Sequence, residues 1–402
     1  MTGAKKNILA NTFYTIAGAL VLNGVLQLLV YPRLAAELGA ERNGTVLYIM
    51  AFINILGPSI GQALNNSRLV LRRDMDVSNG DYNTVILMFS AIGIIGTLGL
   101  LLGVLDGWYC FVLTAVLILL TNFRYYGDVE YRLSLNYRNY FLYYALCGAG
   151  YAAGYLVYRL TGVWFFIFLT GEACALCFAA FGGRIFKRPL ERSQCFETVV
   201  SKGAVLVLSY FVTNLTLNID RLFLNYSLGG EAVTIYYVVS LIGKTLVLFI
   251  APVNTIVISY LTKSDTRLDR KRFLIFSGIG AAASAVFFLF CEIATPIFIK
   301  LFYPSLAEAS KGLVTIASVS QILAMLSAYL FIIVLTFTGE KWQLGLQAAH
   351  LALTLVLITC LTPVGGLLGF GIGVLAANAV RVVCVMILGI FGAGRTNKTD
   401  KK

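Results

Sequence analysis

Four residues of one apolar stretch raise the first chemical question. Asn214, Asn218, Arg221 and Asn225 recur at i, i+4, i+7 and i+11. At about 100° per residue they form a helical stripe roughly 60° wide. Amides around a guanidinium cannot face hydrocarbon, because a charge at the bilayer centre costs roughly 2.5–3.5 kcal/mol. Such a stripe either walls a hydrophilic cavity or holds helices together by hydrogen bonds, and the cavity wall is the favoured reading. Asp220 lies about 120° away, on the side of Thr213 and Thr216, so it does not pair with Arg221 on its own helix.

Lys244 and Arg381 add two cations at membrane depth, and Glu172 and Glu292 add two acids to Asp220. If every cation pairs with an acid, these charges are structural. Cations in a water-filled cavity instead receive an anionic substrate group, and the three acids become candidates for ion coupling. Arg381 lies near enough to a helix end to snorkel. Asn23 and Gln27 make a second polar pair in the first apolar run.

Tyrosines form another pattern. Tyr137, Tyr140, Tyr144, Tyr151, Tyr155 and Tyr158 share one helical face, with Cys147 and Gly148 filling the gap. The outer ones suit a membrane interface. Tyr144 and Tyr151 lie deeper and need hydrogen-bond partners. They either line a sugar path or pack on a neighbouring helix. Cys174 and Cys177 form a C-x-x-C inside an apolar run, where small apolar packing is the usual role. With His350 the single histidine, no metal site and no cofactor is expected.

The elements that carry these groups follow from composition. The 402 residues are 59% hydrophobic and 12% charged, with mean hydropathy +0.83. A soluble domain has about twice that charged fraction, so lipid is the expected solvent. The net charge of +12 is spread through short loops, with no compact basic domain to grip nucleic acid. Lys5 and Lys6 precede an apolar run from Ile8 to Val30, longer than the roughly 7–15 residues of a cleaved signal core. It reads as an uncleaved first span.

Apolar runs predict helices at 8–30, 45–65, 83–105, 108–123, 140–158, 163–181, 203–227, 232–260, 273–299, 312–337, 343–362 and 366–391. The fourth is short for a roughly 30 Å core and is expected to extend at its C-terminal flank. Of the 31 Lys and Arg, 23 fall on one side of this alternation, Arg68 and Arg124 among them. Five fall on the other side and three inside spans. The bias puts both termini in the cytoplasm.

The chain divides into a six-helix lobe (1–182), a basic cytoplasmic linker (183–202), a second six-helix lobe (203–391) and a basic tail (392–402). The halves echo each other. Leu38-Gly39-Ala40-Glu41 matches Leu228-Gly229-Gly230-Glu231, Asn23 and Gln27 match Asn214 and Asn218, and Gly57-Pro58 matches Ala251-Pro252. Six spans per half give parallel repeats about an axis along the membrane normal, an architecture of transporters.

Tyr31-Pro32-Arg33-Leu34 with Leu38-Gly39, and Asn218-Ile219-Asp220-Arg221, are similar to motifs of a known family. So are Pro296 through Leu301-Phe302-Tyr303 with Ala307 and Ala309, and Gly365 to Ala376. Over essentially its whole length the chain resembles the bacterial polysaccharide flippases, which share a superfamily with the MATE drug exporters. The resemblance implies an all-α membrane protein of about twelve helices in two lobes, working by alternating access rather than as an enzyme. It implies an undecaprenyl-diphosphate-linked oligosaccharide as substrate, for O-antigen, capsule or exopolysaccharide synthesis at the inner membrane. Membrane lipid, and a polymerase with other glycan-assembly proteins, are the implied partners.

A MATE-type antiporter for small cations is the alternative within transport; it calls for an acid-lined cavity. A membrane glycan polymerase or ligase is the alternative from another class. It needs a large outer loop, whereas the outer loops here are short.

Overall fold

The computed structural model describes residues 3–248, 270–335 and 341–392. Among them the chain is helical throughout, with no strand. Helices α1 (Gly3–Gly24) and α2 (Tyr31–Leu56) join through a wide π turn at Val25–Val30. A second π turn, Gly57–Gln62, leads into α3 (Ala63–Leu71). Then come α4 (Asn79–Leu100), α5 (Trp108–Gly127), α6 (Val129–Leu133), α7 (Tyr137–Thr161), α8 (Phe165–Gly182) and α9 (Phe196–Leu228). The chain continues as α10 (Gly230–Leu248), α11 (Arg270–Phe302), α12 (Ala307–Ser310), α13 (Val314–Leu335) and α14 (Lys341–Gly392).

Nine helical stretches among the described residues are long and apolar enough to cross a membrane. Two of them contain breaks. Gly39 (φ 77°) interrupts the first stretch and Gly366 (φ 56°) the last, in a left-handed backbone that suits glycine. Each break separates two of the predicted spans. Helix α7 covers the fifth predicted span. Its tyrosines lower its hydropathy, but they are turned inward: Tyr143, Tyr144, Tyr151, Tyr155 and Tyr158 are buried. The all-α membrane fold with about twelve spans is thus as the sequence predicts. The fourth span extends as expected, with α5 running to Gly127 and α6 to Leu133. Residues 249–260 of the eighth predicted span, and with them Ala251-Pro252, lie outside the described residues.

The chain forms two compact units. One holds residues 1–39 and 45–222, the other 40–44 and 223–402. In the first, α7 packs on α8 and α1, and α5 on α8 and the second π turn. The α7–α8 contact depends on small residues. A Cβ at Gly154 would lie 2.7 Å from Ile167 Cα, and one at Gly150 would lie 2.7 Å from Gly171 Cα. Gly150-x-x-x-Gly154 therefore lets two backbones meet, as close helix pairs in lipid require. In the second unit, α11, α13 and α14 pack around Phe273, Phe331 and Val385, and α10 packs on α13 and α11 around Cys291, Ile322 and Met325. There Glu41 accepts hydrogen bonds from the amides of Gly230 (3.0 Å) and Glu231 (2.7 Å). A carboxylate at the positive end of α10 satisfies two otherwise unpaired amides. Glu41 of the first Leu-Gly-x-Glu motif thus caps Gly230 and Glu231 of the second.

Candidate functional site

The first unit encloses a cavity of about 270 Å³. Its wall draws Asn23 and Gln27 from the first π-turn region, Asn54 from α2, Arg124 and Tyr125 from α5, Tyr144 and Tyr151 from α7, Glu172 from α8 and Arg221 from α9. Seven of the polar residues singled out by sequence therefore come together: Asn23, Gln27, Tyr140, Tyr144, Tyr151, Glu172 and Arg221.

The remaining candidates sit elsewhere. Asn214 donates to Tyr210 O (2.8 Å) and Ser59 Oγ (3.4 Å), and Asn218 donates to Asn214 O (2.9 Å). These amides are spent largely on their own helix. Asp220 is buried in the same unit. Asn225, Lys244, Arg381 and Glu292 belong to the second unit, where Glu292 Oε2 accepts from Thr315 Oγ1 at 2.8 Å.

The deep charges are organised by a residue that the loop count placed in the cytoplasm. Arg124 is 4% exposed, on α5, and its Nε lies 2.5 Å from Glu172 Oε2. Glu172 is 3% exposed, and its other oxygen accepts the Tyr151 hydroxyl at 2.8 Å. The guanidinium also lies over the Tyr125 ring, 4.0 Å from its centre. Burying both charges is tolerable only because each is paired and further bonded. Arg68 is likewise buried rather than exposed in a loop. Both corrections have one cause: α3 and α5 continue past the apolar runs, so their last turns pack inside the bundle.

The tyrosine stripe has found carboxylates. Tyr144 donates to Asp128 Oδ2 at 2.7 Å, Tyr151 to Glu172, and Tyr155 to Glu37. Asp128 is 1% exposed and also accepts from the Asn65 amide, whose own oxygen accepts from Arg132 at 2.9 Å. Packing and cavity lining are not exclusive here: Tyr144 and Tyr151 line the cavity while their hydroxyls hold buried acids. Sequence reasoning missed Arg124, Asp128 and Asn54. An arginine or aspartate just past an apolar run resembles a loop charge until the helix is seen to continue.

In the second unit, His350 Nε2 lies 3.0 Å from Asn378 Oδ1, and Asn378 Nδ2 donates to Ser320 O and Oγ at 3.1 and 3.0 Å. The single histidine is thus part of a buried polar link between α13 and α14. Among the described residues no cluster of metal-ligating side chains is present.

Polar groups converge on this cavity, whose charged lining is two arginines and one glutamate. Such a wall can hold an anionic group and hydrogen-bond hydroxyls.

No family model and no curated protein sequence matches the chain. Solved structures do. One is an inward-facing multidrug resistance MATE family transporter of the MOP superfamily, at TM-score 0.61 and 16% identity over 96% of each chain. An outward-facing structure of such a transporter aligns at TM-score 0.61 and 18% identity, over 98% of this chain and 97% of that one. A MOP superfamily transporter from Pyrococcus furiosus, described as having a binding pocket of reverse polarity that suggests a different function, aligns at TM-score 0.56 and 18% identity, over 98% and 97%. At these identities the likeness is one of fold, and the chain has the fold of the MATE transporters of the MOP superfamily.

Proposed function

We propose that this chain is a flippase that moves an undecaprenyl-diphosphate-linked oligosaccharide across the bacterial cytoplasmic membrane by alternating access between two six-helix lobes. Both termini face the cytoplasm, and no chemistry is performed on the cargo. The observation that carries the reading is the polarity of the cavity. Arg124 and Arg221 line it with Glu172, so the wall presents more cationic than acidic side chains, and the acid is held by Arg124 at 2.5 Å. Asn23, Gln27, Asn54 and the tyrosines surround these charges with groups suited to phosphate and sugar hydroxyls. Solved transporters with this fold in inward- and outward-facing states support alternating access. The Pyrococcus furiosus transporter supports the idea that the fold carries pockets of more than one polarity.

The second reading is a MATE-type cation antiporter, favoured by the names of the neighbours. It needs an available acid, and Glu172 is committed to Arg124 and Tyr151. In a strain that depends on this chain for glycan export, Arg221→Ala should abolish export and Arg221→Lys should leave it intermediate. A point charge survives in the lysine, but the planar bidentate fork does not. A cysteine replacing Arg221 should react with a water-soluble thiol reagent. Full export by Arg221→Ala, with cation-drug resistance conferred by the wild type, would transfer the assignment to the antiporter.

A further inference from the structure

A second, larger cavity of about 750 Å³ opens beside the segment that joins α8 to α9. It lies where α3 and α8 end and α4 begins. Its lining carries five cations, Arg68, Arg72, Arg184, Lys187 and Arg188, against three carboxylates, Asp76, Glu130 and Glu191.

This wall is fixed in place. Ser78 and Asp81 form a reciprocal capping box at the start of α4. The same two side chains hold the linker, through Ser78 Oγ to Glu191 O (2.6 Å) and Ser193 Oγ to Asp81 Oδ2 (2.7 Å). Asn79 donates to Arg184 O (2.9 Å) and Lys187 O (2.8 Å), and its own oxygen accepts from Arg68 Nη2 at 2.6 Å.

Arg68 is the sharpest feature. It is 5% exposed, and its Nη1 donates to the Tyr126 hydroxyl. Its Nε has no hydrogen-bond partner, and no carboxylate pairs with it among the described residues. A buried guanidinium without an acid normally costs several kcal/mol, which an anion in the cavity would offset.

An apolar groove of about 390 Å³ runs along the other side of the same linker. Ile185, Lys187 and Arg188 line the cationic cavity, while Phe186, Pro189 and Leu190 line the groove with Leu87, Phe123 and Phe181. One short segment thus divides a cluster of cations from a hydrocarbon surface. That is the chemistry of an anionic lipid, with head and chain on either side of the linker.

We infer that this cavity and groove form a loading site for the cargo lipid, with the diphosphate among the linker cations and the isoprenoid chain in the groove. This rests on the flippase reading. Two features favour the cargo over an ordinary membrane phospholipid. The excess of two positive charges matches a diphosphate diester. The cavity volume also far exceeds one phosphate, and its carboxylates and Ser134 offer acceptors for sugar hydroxyls.

The test uses the full chain in nanodiscs of phosphatidylcholine. It measures binding of a long-chain polyprenyl diphosphate, a short-chain isoprenyl diphosphate and phosphatidylglycerol. Arg184, Lys187 and Arg188 are exposed, so Arg184→Gln/Lys187→Gln/Arg188→Gln should fold normally. It should weaken the long-chain probe about tenfold or more, as loss of charge-assisted contacts worth about 1.4 kcal/mol would do. Leu190→Asn should weaken the long-chain probe and spare the short one. Arg221→Ala should leave this binding in place. Wild-type binding that the triple variant retains in full would overturn the loading site while leaving the flippase reading intact. Phosphatidylglycerol competing equally would reassign the site to membrane lipid and overturn the inference. No binding of either diphosphate to the wild type would count against both readings.

Discussion

The Arg124–Glu172 pair makes the strongest quantitative demand on this structure. Glu172→Gln keeps the side-chain volume and still offers an oxygen to the Tyr151 hydroxyl, so that hydrogen bond survives. What changes is Arg124, a guanidinium 4% exposed that loses its ion-pair partner at 2.5 Å. Breaking a buried pair from one side costs about 3–5 kcal/mol. For a unit of this size that corresponds to a fall of roughly 6–20 °C in the unfolding midpoint. Arg124→Met/Glu172→Gln removes the stranded charge and should recover most of the loss, since burying two charges brings little net gain over apolar packing. The assay is thermal unfolding of detergent-solubilised protein for the wild type, both single variants and the double, read as a double-mutant cycle. A Glu172→Gln midpoint equal to wild type, or a double variant no better than either single, would refute the pairing. Export is the second readout. Because the pair is nearly neutral in the cavity, the rescued double variant should still transport if Arg221 supplies the charge that meets the cargo.

Other expectations follow from particular contacts. Gly154→Leu places a side chain where a Cβ alone would already lie 2.7 Å from Ile167 Cα. It should abolish accumulation of the protein, and normal accumulation would mean that α7 and α8 do not meet there. Tyr151→Phe and Tyr144→Phe each take one donor from a buried carboxylate, at a cost of roughly 1.5–3 kcal/mol. Midpoints unchanged in both variants would show that these hydroxyls hold no carboxylate. Topology reporters placed at Leu190 and at Lys402 should both read cytoplasmic. Opposite readings at the two positions would remove the even-span model.

Much of the fold was legible in the chain because a helix in lipid is a local object. Its length follows from the apolar run, and its backbone bonds close within itself. The break between the last two spans, expected near residues 362–366, falls at Gly366 because only glycine takes that φ without cost. The inward face of α7 was likewise written in the 3.6-residue spacing of its tyrosines. Identifying which acid each tyrosine would meet was beyond any periodicity. Tyr151 and Glu172 are 21 residues apart and Arg124 and Glu172 are 48 apart, and such pairs are set by how helices stack.

The same distinction decided the charges. Counting Lys and Arg gave a consistent orientation, yet it treated Arg68 and Arg124 as loop cations. An arginine one turn past an apolar run is indistinguishable in sequence from one in solvent. Whether it is solvated or buried depends on whether the helix continues and what packs on its last turn. The basic linker shows the limit from the other side. Its composition marked it as a surface segment, but its fixed position depends on hydrogen bonds from Ser78, Asn79 and Asp81, more than a hundred residues earlier. Sequence alone determined the helices and their polar faces, because both are set within a few turns of chain. Tertiary structure decided the partners of the buried charges and the two cavities, because those depend on contacts between helices far apart in the chain.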